Sequence, residues 1–252
     1  MDDVQGPERE AETGEQSAAP RSRRRSLPAG PLGDWLRSLA IAVVLFLLVR
    51  TFVVEAYKIP TASMENTLLV GDFLLVNKAV FGTYIPGTDV RIGTFREPGR
   101  GDVIVFHPPH EPDKNYVKRI VGVPHDTLAM RDGRLYRNGA LVHEPYAKHR
   151  SDGGDMVHPG MRWQSNYLVA STRRKYVPTR DNWGPLVVPQ ESYFVLGDNR
   201  DNSEDSRYWG FVSRDQIRGE PWIVYYSYEP SAEPDLDWLT RVRWSRVGEL
   251  IR

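Results

Sequence analysis

Three stretches of this chain carry side chains able to do covalent chemistry. The first is Ile59-Pro60-Thr61-Ala62-Ser63-Met64-Glu65-Asn66-Thr67-Leu68. A proline-initiated turn of small residues leaves Ser63 sterically open there, but a hydroxyl is a weak nucleophile until a neighbouring base takes its proton. The second is Tyr116-Val117-Lys118-Arg119-Ile120-Val121. Strand alternation places Tyr116, Lys118 and Ile120 on one face and Val117, Arg119 and Val121 on the other. Lys118 then emerges between an aromatic and a branched apolar side chain, surroundings that desolvate an ammonium and pull its pKa towards neutrality. The third is the polar run from Gly197-Asp198-Asn199-Arg200 through Ser203-Glu204-Asp205-Ser206-Arg207 to Tyr208-Trp209-Gly210. It follows the apolar strand Tyr193-Phe194-Val195-Leu196, so it is fastened at both ends and able to support a site. Each stretch also has a plain reading: a loop serine, an edge-strand lysine facing water, and a loop of backbone-capping turns.

Histidine is the usual partner of a nucleophilic serine. The six histidines, at 107, 110, 125, 143, 149 and 158, all fall in turn-like or polar contexts without an obvious supporting carboxylate motif. Triads assemble from distant positions, so a Ser-His-Asp arrangement stays open at this point. The chain has no cysteine, which removes disulfides, thiolate metal sites and a thiolate nucleophile. Lys+Arg and Asp+Glu both number 33. No sequence-wide basic field exists to hold a nucleic-acid backbone, and nucleic acid is not an expected partner.

These residues must be held by a scaffold. Residues 1–30 mix Glu, Ser, Pro and Gly with almost no large apolar side chains, the composition of a disordered tail. Its basic end, Arg21, Arg23, Arg24 and Arg25, precedes the most apolar stretch of the chain, Leu39 to Val49. The uncharged run is shorter than the roughly 20 residues that cross a bilayer as a helix. It becomes a span over residues 35–54 if Arg50 snorkels, with Trp35 at the interface. The arginine cluster predicts a cytoplasmic N-terminus and an outer face for residues 56–252. A buried helix of a soluble protein and a cleaved secretion signal, with Val54-Glu55-Ala56 as a loose cut site, are the competing readings of the same segment.

Beyond residue 56 the period turns from helical to alternating, in 101–106, 116–121 and 192–196. Asp132-Gly133 and Asn138-Gly139 are hairpin signals between the short runs at 127–130, 135–136 and 141–142, which predicts a meander. Residues 148–160 read as an exposed loop. Residues 144–190 are a candidate separate lobe, and 236–252 a short helix packing on the domain or lying on a headgroup surface. The fold class expected is mainly β: antiparallel sheets with short helices, preceded by one transmembrane helix.

Taken together, the clusters resemble the bacterial type I signal peptidases. The resemblance runs in order over most of residues 35–228: the membrane segment, Ile59-Pro60-Thr61-Ala62-Ser63-Met64, Gly71 to Lys78, Gly101 to Phe106, Lys118-Arg119-Ile120-Val121-Gly122, and the Gly197-Asp198-Asn199-Arg200 run. The resemblance implies a membrane-anchored endopeptidase that cuts exported preproteins. Ser63 would be the nucleophile that forms an acyl-enzyme, and Lys118, rather than Lys78, the general base. An oxyanion hole is implied from the Ser63 N–H and the Thr61 hydroxyl, at a position where the family usually has serine. Ser203 is implied to hydrogen-bond the Lys118 amine and Asp205 to pair with Arg207, while Asp198 and Arg119 take supporting structural roles. Ile59, Leu68, Tyr116 and Val117 are implied to line substrate pockets, and no metal or other cofactor is implied. Asn66 and His125 depart from the family's usual proline and glycine.

The substrate class has a physical rationale. The stretch from Val54 to Ser63 spans at most about 30 Å, so the nucleophile works near the lipid bilayer. Secretory signals present an A-x-A-like site just beyond their apolar region, and an extended peptide can add to a sheet edge. Two other function classes share single features with this chain. A self-cleaving Ser-Lys repressor should carry a DNA-binding module and no membrane span. A non-enzymatic β-domain that binds exported chains would tolerate loss of Ser63 or Lys118.

Overall fold

The computed structural model describes residues 31–84, 87, 88, 90–149, 154–169, 176–231 and 236–252. The basic cluster and tail expected within residues 1–30, and part of the loop expected at 148–160, lie outside the described residues. Contacts divide the chain into two units, residues up to Val43 and Val44–Arg252.

Helix α1 runs Pro31–Phe52. Proline at its first position suits a helix start, since the amide it lacks would have no partner there. The stretch Leu32–Phe52 has a mean hydropathy of 2.0, and none of it is buried within the protein. Its length and composition suffice to cross a membrane. The helix begins four residues before the expected 35 and ends two before 54, because Val54 opens β1 (Val54–Lys58) and pairs there with Asn77.

The following strands are β2 (Asp72–Asn77), β3 (Phe81–Tyr84), β4 (Arg91–Thr94), β5 (Val103–Phe106), β6 (Tyr116–Gly122), β7 (Thr127–Arg131), β8 (Arg134–Arg137) and β9 (Ala140–Leu141). Next come β10 (Trp183–Val187), β11 (Ser192–Leu196), the single-turn helix α2 (Ser206–Trp209), β12 (Val212–Ser213), β13 (Ile217–Ser227) and the short helix α3 (Asp237–Thr240). Among the described residues they form a seven-stranded sheet in the order β1-β2-β13-β5-β6-β11-β12, a four-stranded sheet β10-β7-β8-β9 and the hairpin β3-β4. All named strand pairs are antiparallel. The mainly β expectation holds, including the meander β7-β8-β9. Its turns place Asp132 and Gly133, then Asn138 and Gly139, at positive φ, the backbone that hairpin loops with right-handed twist require.

Three apolar clusters surround β6. Val103, Val105 and Val117 pack with Ile59, Met64, Leu68 and Leu74. Ile104, Phe106 and Ile120 pack with Phe81, Tyr193 and Val195. Val121 joins Met130, Met161, Leu168, Trp183, Leu186 and Phe194. Residues from the 144–190 region thus share a core with β6 and β11, and β10 hydrogen-bonds β7. The C-terminal residues contribute α3 and two isolated bridges, Tyr228 to Val242 and Ile223 to Leu250, so they pack along β13 and form no continuous helix.

Candidate active site

Ser63 lies in a short 3₁₀ turn, Ala62–Met64, that follows the extended segment Ile59–Thr61. Met64 is buried beneath it and Ile59 anchors its start, so the two ends of the turn are held in one apolar cluster. The polar run clamps the same turn from the other side. The Asn199 backbone N–H donates to the Ser63 carbonyl at 3.1 Å, and its side-chain amide donates to the Ala62 carbonyl at 3.1 Å. Gly197 meets the turn so closely that an added Cβ would lie 2.5 Å from the Ser63 carbonyl oxygen and 2.1 Å from Ser203 Oγ. No larger residue fits without moving the Ser63 turn or Ser203.

Lys118 sits on β6 opposite Ile104 and is 4% exposed. Its Nζ donates to Ser63 Oγ at 2.7 Å and lies 5.4 Å from the centre of the Tyr116 ring. Burial pushes the Lys118 pKa down from 10.5 to about 8. The Asp205, Glu204 and Asp198 carboxylates oppose that fall, and the Arg207 guanidinium adds to it. Among the described residues, none of the carboxylates forms an ion pair with the amine. The surroundings expected from strand alternation, an aromatic ring beside a desolvated amine, are present.

Thr61 Oγ1 is 3.4 Å from Ser63 Oγ, a long hydrogen bond in which either hydroxyl can donate. The expected pair of Asp205 and Arg207 forms at 2.8 Å and is fully buried. Asp205 also caps α2 through the Arg207 N–H and accepts from the Gly197 N–H. One carboxylate thereby fixes the backbone on both sides of the polar loop. Asp198 accepts Arg119 Nε and Nη2 at 2.9 and 2.7 Å, a bidentate pair that also draws in the Thr67 hydroxyl.

Two expectations fail. Ser203 makes no hydrogen bond to Lys118. Its hydroxyl is buried, packs against Gly197 and has no partner among the described residues, while the amine is taken by Ser63. Leu68 lines no substrate pocket. It is completely buried in the apolar cluster beneath the Ser63 turn, and its amide donates to the Met64 carbonyl at 2.8 Å in the turn that follows. Ile59, Tyr116 and Val117 do line the open cleft of about 580 Å³ that contains Ser63, Lys118 and Thr61. Lys78 is elsewhere, bonded to the Arg50 carbonyl and paired with Glu55. No histidine hydrogen-bonds Ser63 among the described residues. The two departures from the family pattern, Asn66 and His125, are both at positive φ. A glycine is at ease in that region, whereas proline cannot enter it.

Sequence reasoning missed Asn199, whose role as a clamp needs a loop 136 residues away to meet the nucleophile turn. It also missed Tyr146, whose ring lies 3.9 Å below the Arg119 guanidinium. The only advance signal for Asn199 was its place inside the dense polar run.

The model of the family described as Signal peptidase, peptidase S26 matches residues 32–226. The chain belongs to that family. It is 36% identical over 231 residues to the signal peptidase I of Pseudomonas aeruginosa, which covers 86% of this chain and 78% of that protein. It is 37% identical over 235 residues to that of Aquifex aeolicus, with 78% of this chain and 85% of the relative covered. Signal peptidase I P of Bacillus subtilis subsp. natto is 33% identical over 196 residues, 77% of this chain and 89% of its own. As a member of the S26 peptidases, the chain is a serine-type signal peptidase, and α1 fits a membrane-anchored enzyme of that family.

Proposed function

We propose that the enzyme cuts signal peptides after an A-x-A-like site through a Ser63–Lys118 dyad and an acyl-enzyme intermediate. The observation that carries this reading is the 2.7 Å contact between Lys118 Nζ and Ser63 Oγ in a place where burial brings the amine to a pKa of about 8. With the amine neutral, the Ser63 O–H donates to Nζ. As Oγ attacks the scissile carbonyl carbon, the proton passes to Lys118, and the carbonyl oxygen gains the negative charge. The Thr61 hydroxyl and the Ser63 N–H are the donors assigned to that oxyanion. Losing one such donor costs on the order of 2.7 to 4 kcal/mol of barrier. Collapse breaks the C–N bond, and Lys118 returns its proton to the departing amine. The neutral amine then takes a proton from water as its oxygen attacks the ester carbon; collapse breaks the C–Oγ bond, and Lys118 returns the proton to Ser63 Oγ, regenerating the hydroxyl and the neutral amine.

An extended substrate has an edge to join. Among the described residues, β11 pairs with β6 only over Arg119–Gly122, so Tyr116–Lys118 have a strand partner on the β5 side alone. The segment Tyr57–Ser63 forms the opposite wall of the cleft. Backbone hydrogen bonds to such an edge hold a peptide, while Ile59, Met64 and Val117 offer apolar contacts to small side chains. Asp205 and Arg207 support the dyad by holding the loop that clamps Ser63. α1 is read as the anchor, with the N-terminus cytoplasmic and the peptidase domain on the outer face of the cytoplasmic membrane. The partners are then signal-bearing preproteins and lipid, with no nucleic acid.

Cleavage of a preprotein by the full-length enzyme in detergent tests the dyad. Ser63→Ala and Lys118→Ala should each lower kcat by at least about 1,000-fold while the protein remains folded by circular dichroism. Wild-type rates in either variant would overturn the reading.

A further inference from the structure

The walls of the cleft are mostly apolar or neutral, and their charges are nearly all engaged. Lys118 is bound to Ser63. Lys114 pairs with Glu111 at 2.8 Å. Lys58 donates to the Tyr228 hydroxyl at 2.8 Å and lies against the Phe73 and Tyr228 rings. Glu204 differs. It is the one carboxylate among the described lining residues. It is exposed and has no hydrogen-bond or ion-pair partner among the described residues.

The backbone that carries Glu204 is pinned on both sides. Ser203 is buried against Gly197, and Asp205 is buried, capping α2 and bound to Arg207. A glutamate between two buried residues on a clamped loop cannot drift far from the cleft, so its charge stays in the path of a bound peptide. The charged or titratable groups facing it are the Lys118 amine and the Tyr116 phenol, both of which feel its field. Neither neutralises it: the amine serves Ser63 and the phenol donates to Glu111 at 2.7 Å.

We infer that Glu204 is a specificity-determining residue that faces the substrate beside the scissile bond and favours a basic over an acidic side chain there. The inference rests on the dyad reading, because that reading makes this cleft the substrate site. An exposed ion pair contributes only weakly, and a like-charge encounter opposes binding by a similarly small amount. Discrimination between Lys and Glu at one substrate position should therefore be about fivefold in kcat/KM.

The test uses the full-length enzyme in detergent and synthetic peptides that span one A-x-A-type site. Lys, Gln or Glu is placed in turn at the middle position of the A-x-A site and at each of the first two positions after the cut. At one or more positions the wild type should prefer Lys to Glu about fivefold. Glu204→Gln should bring that ratio below about twofold, and Glu204→Lys should invert it, with the uncharged Gln peptide cut by all three enzymes. A second readout is the acidic limb of the pH profile. Lys118 is faced by Asp205, Glu204, Asp198 and Arg207. Removing the Glu204 charge makes the Lys118 ammonium less stable, so the limb in Glu204→Gln should move to lower pH. If the Lys/Glu ratio at every position is the same in all three enzymes, Glu204 does not face the substrate and the inference is overturned. Cleavage of the Gln peptide by Ser63→Ala would instead strike the dyad reading, so the two failures are distinct.

Discussion

Strand β6 buries two cations in succession, and their surroundings differ in one respect that decides what each can do. Arg119 is met by a carboxylate in bidentate geometry, by the Gly101 carbonyl and by the Tyr146 ring. Lys118, one residue earlier, is met by a hydroxyl and a ring, and the carboxylate that acts on it most strongly, Asp205, is already occupied by Arg207. A guanidinium with a matched acceptor stays charged and ties the polar loop to the sheet. An ammonium without one is destabilised, and the neutral amine a base requires lies within reach of ordinary pH. The lesson is that burial alone does not separate a candidate base from a structural cation: the side chain must be one that can lose its proton, which a guanidinium is not, and its ion-pair partner must be withheld.

The comparison breaks most visibly on the Arg119 side. Asp198→Ala leaves a guanidinium buried without its acceptor and should destabilise the folded protein by about 3–5 kcal/mol, read from denaturant unfolding in detergent. A loss below about 1 kcal/mol would mean that the Arg119 pair is not structural in the sense argued.

The Lys118 side should respond with the opposite sign. Lys118→Leu removes a strained ammonium together with one hydrogen bond, and should raise stability at pH 7 by about 1–3 kcal/mol while abolishing activity. The folded pKa of about 8 lies below the ordinary 10.5, so between those values the unfolded chain binds more protons than the folded one. Wild-type stability therefore rises with pH across that window, and its deficit against Lys118→Leu should be full below pH 8 and close towards pH 10.5. Thermal unfolding of both proteins over that range measures the gap, and a gap independent of pH would remove the strained-amine account.

The smallest effect is kinetic. Activity that needs the neutral amine should fall on acidification with a limb near pH 8 in kcat/KM, losing about tenfold per pH unit below it, or about 1.4 kcal/mol. A limb near pH 6 to 7 with unit slope would point to a histidine in place of Lys118.

The alternating runs of β6 and β11 and the turns of the β7-β8-β9 meander were legible because a two-residue period and hairpin dipeptides are local properties. So were the apolar helix and the accessible turn at Ser63, although β1 shortened the helix by claiming Val54. The lysine's apolar flanks could be read from Tyr116 and Ile120 on its own strand. The supporting residues were less legible. Ser203 was expected at the amine and instead packs on Gly197, and Leu68 was expected in a pocket and instead fills the core. Both outcomes depend on which side of a loop faces inward, which no local pattern encodes.

By itself, then, the sequence determined the local chemistry of this protein: a small-residue turn that exposes Ser63, a strand that desolvates Lys118, an apolar helix of membrane length and a polar loop bounded by strands. Only the tertiary structure decided that Ser63 and Lys118 touch, that Asn199 clamps the Ser63 turn, and that Asp205 goes to Arg207 while Lys118 has no ion-pair partner among the described residues. The reason is physical. Propensity and periodicity act over a few residues, whereas a pKa depends on every charge and dipole within several ångströms, and those arrive from β6, the Ser63 turn and the 197–210 loop only after the sheets have paired.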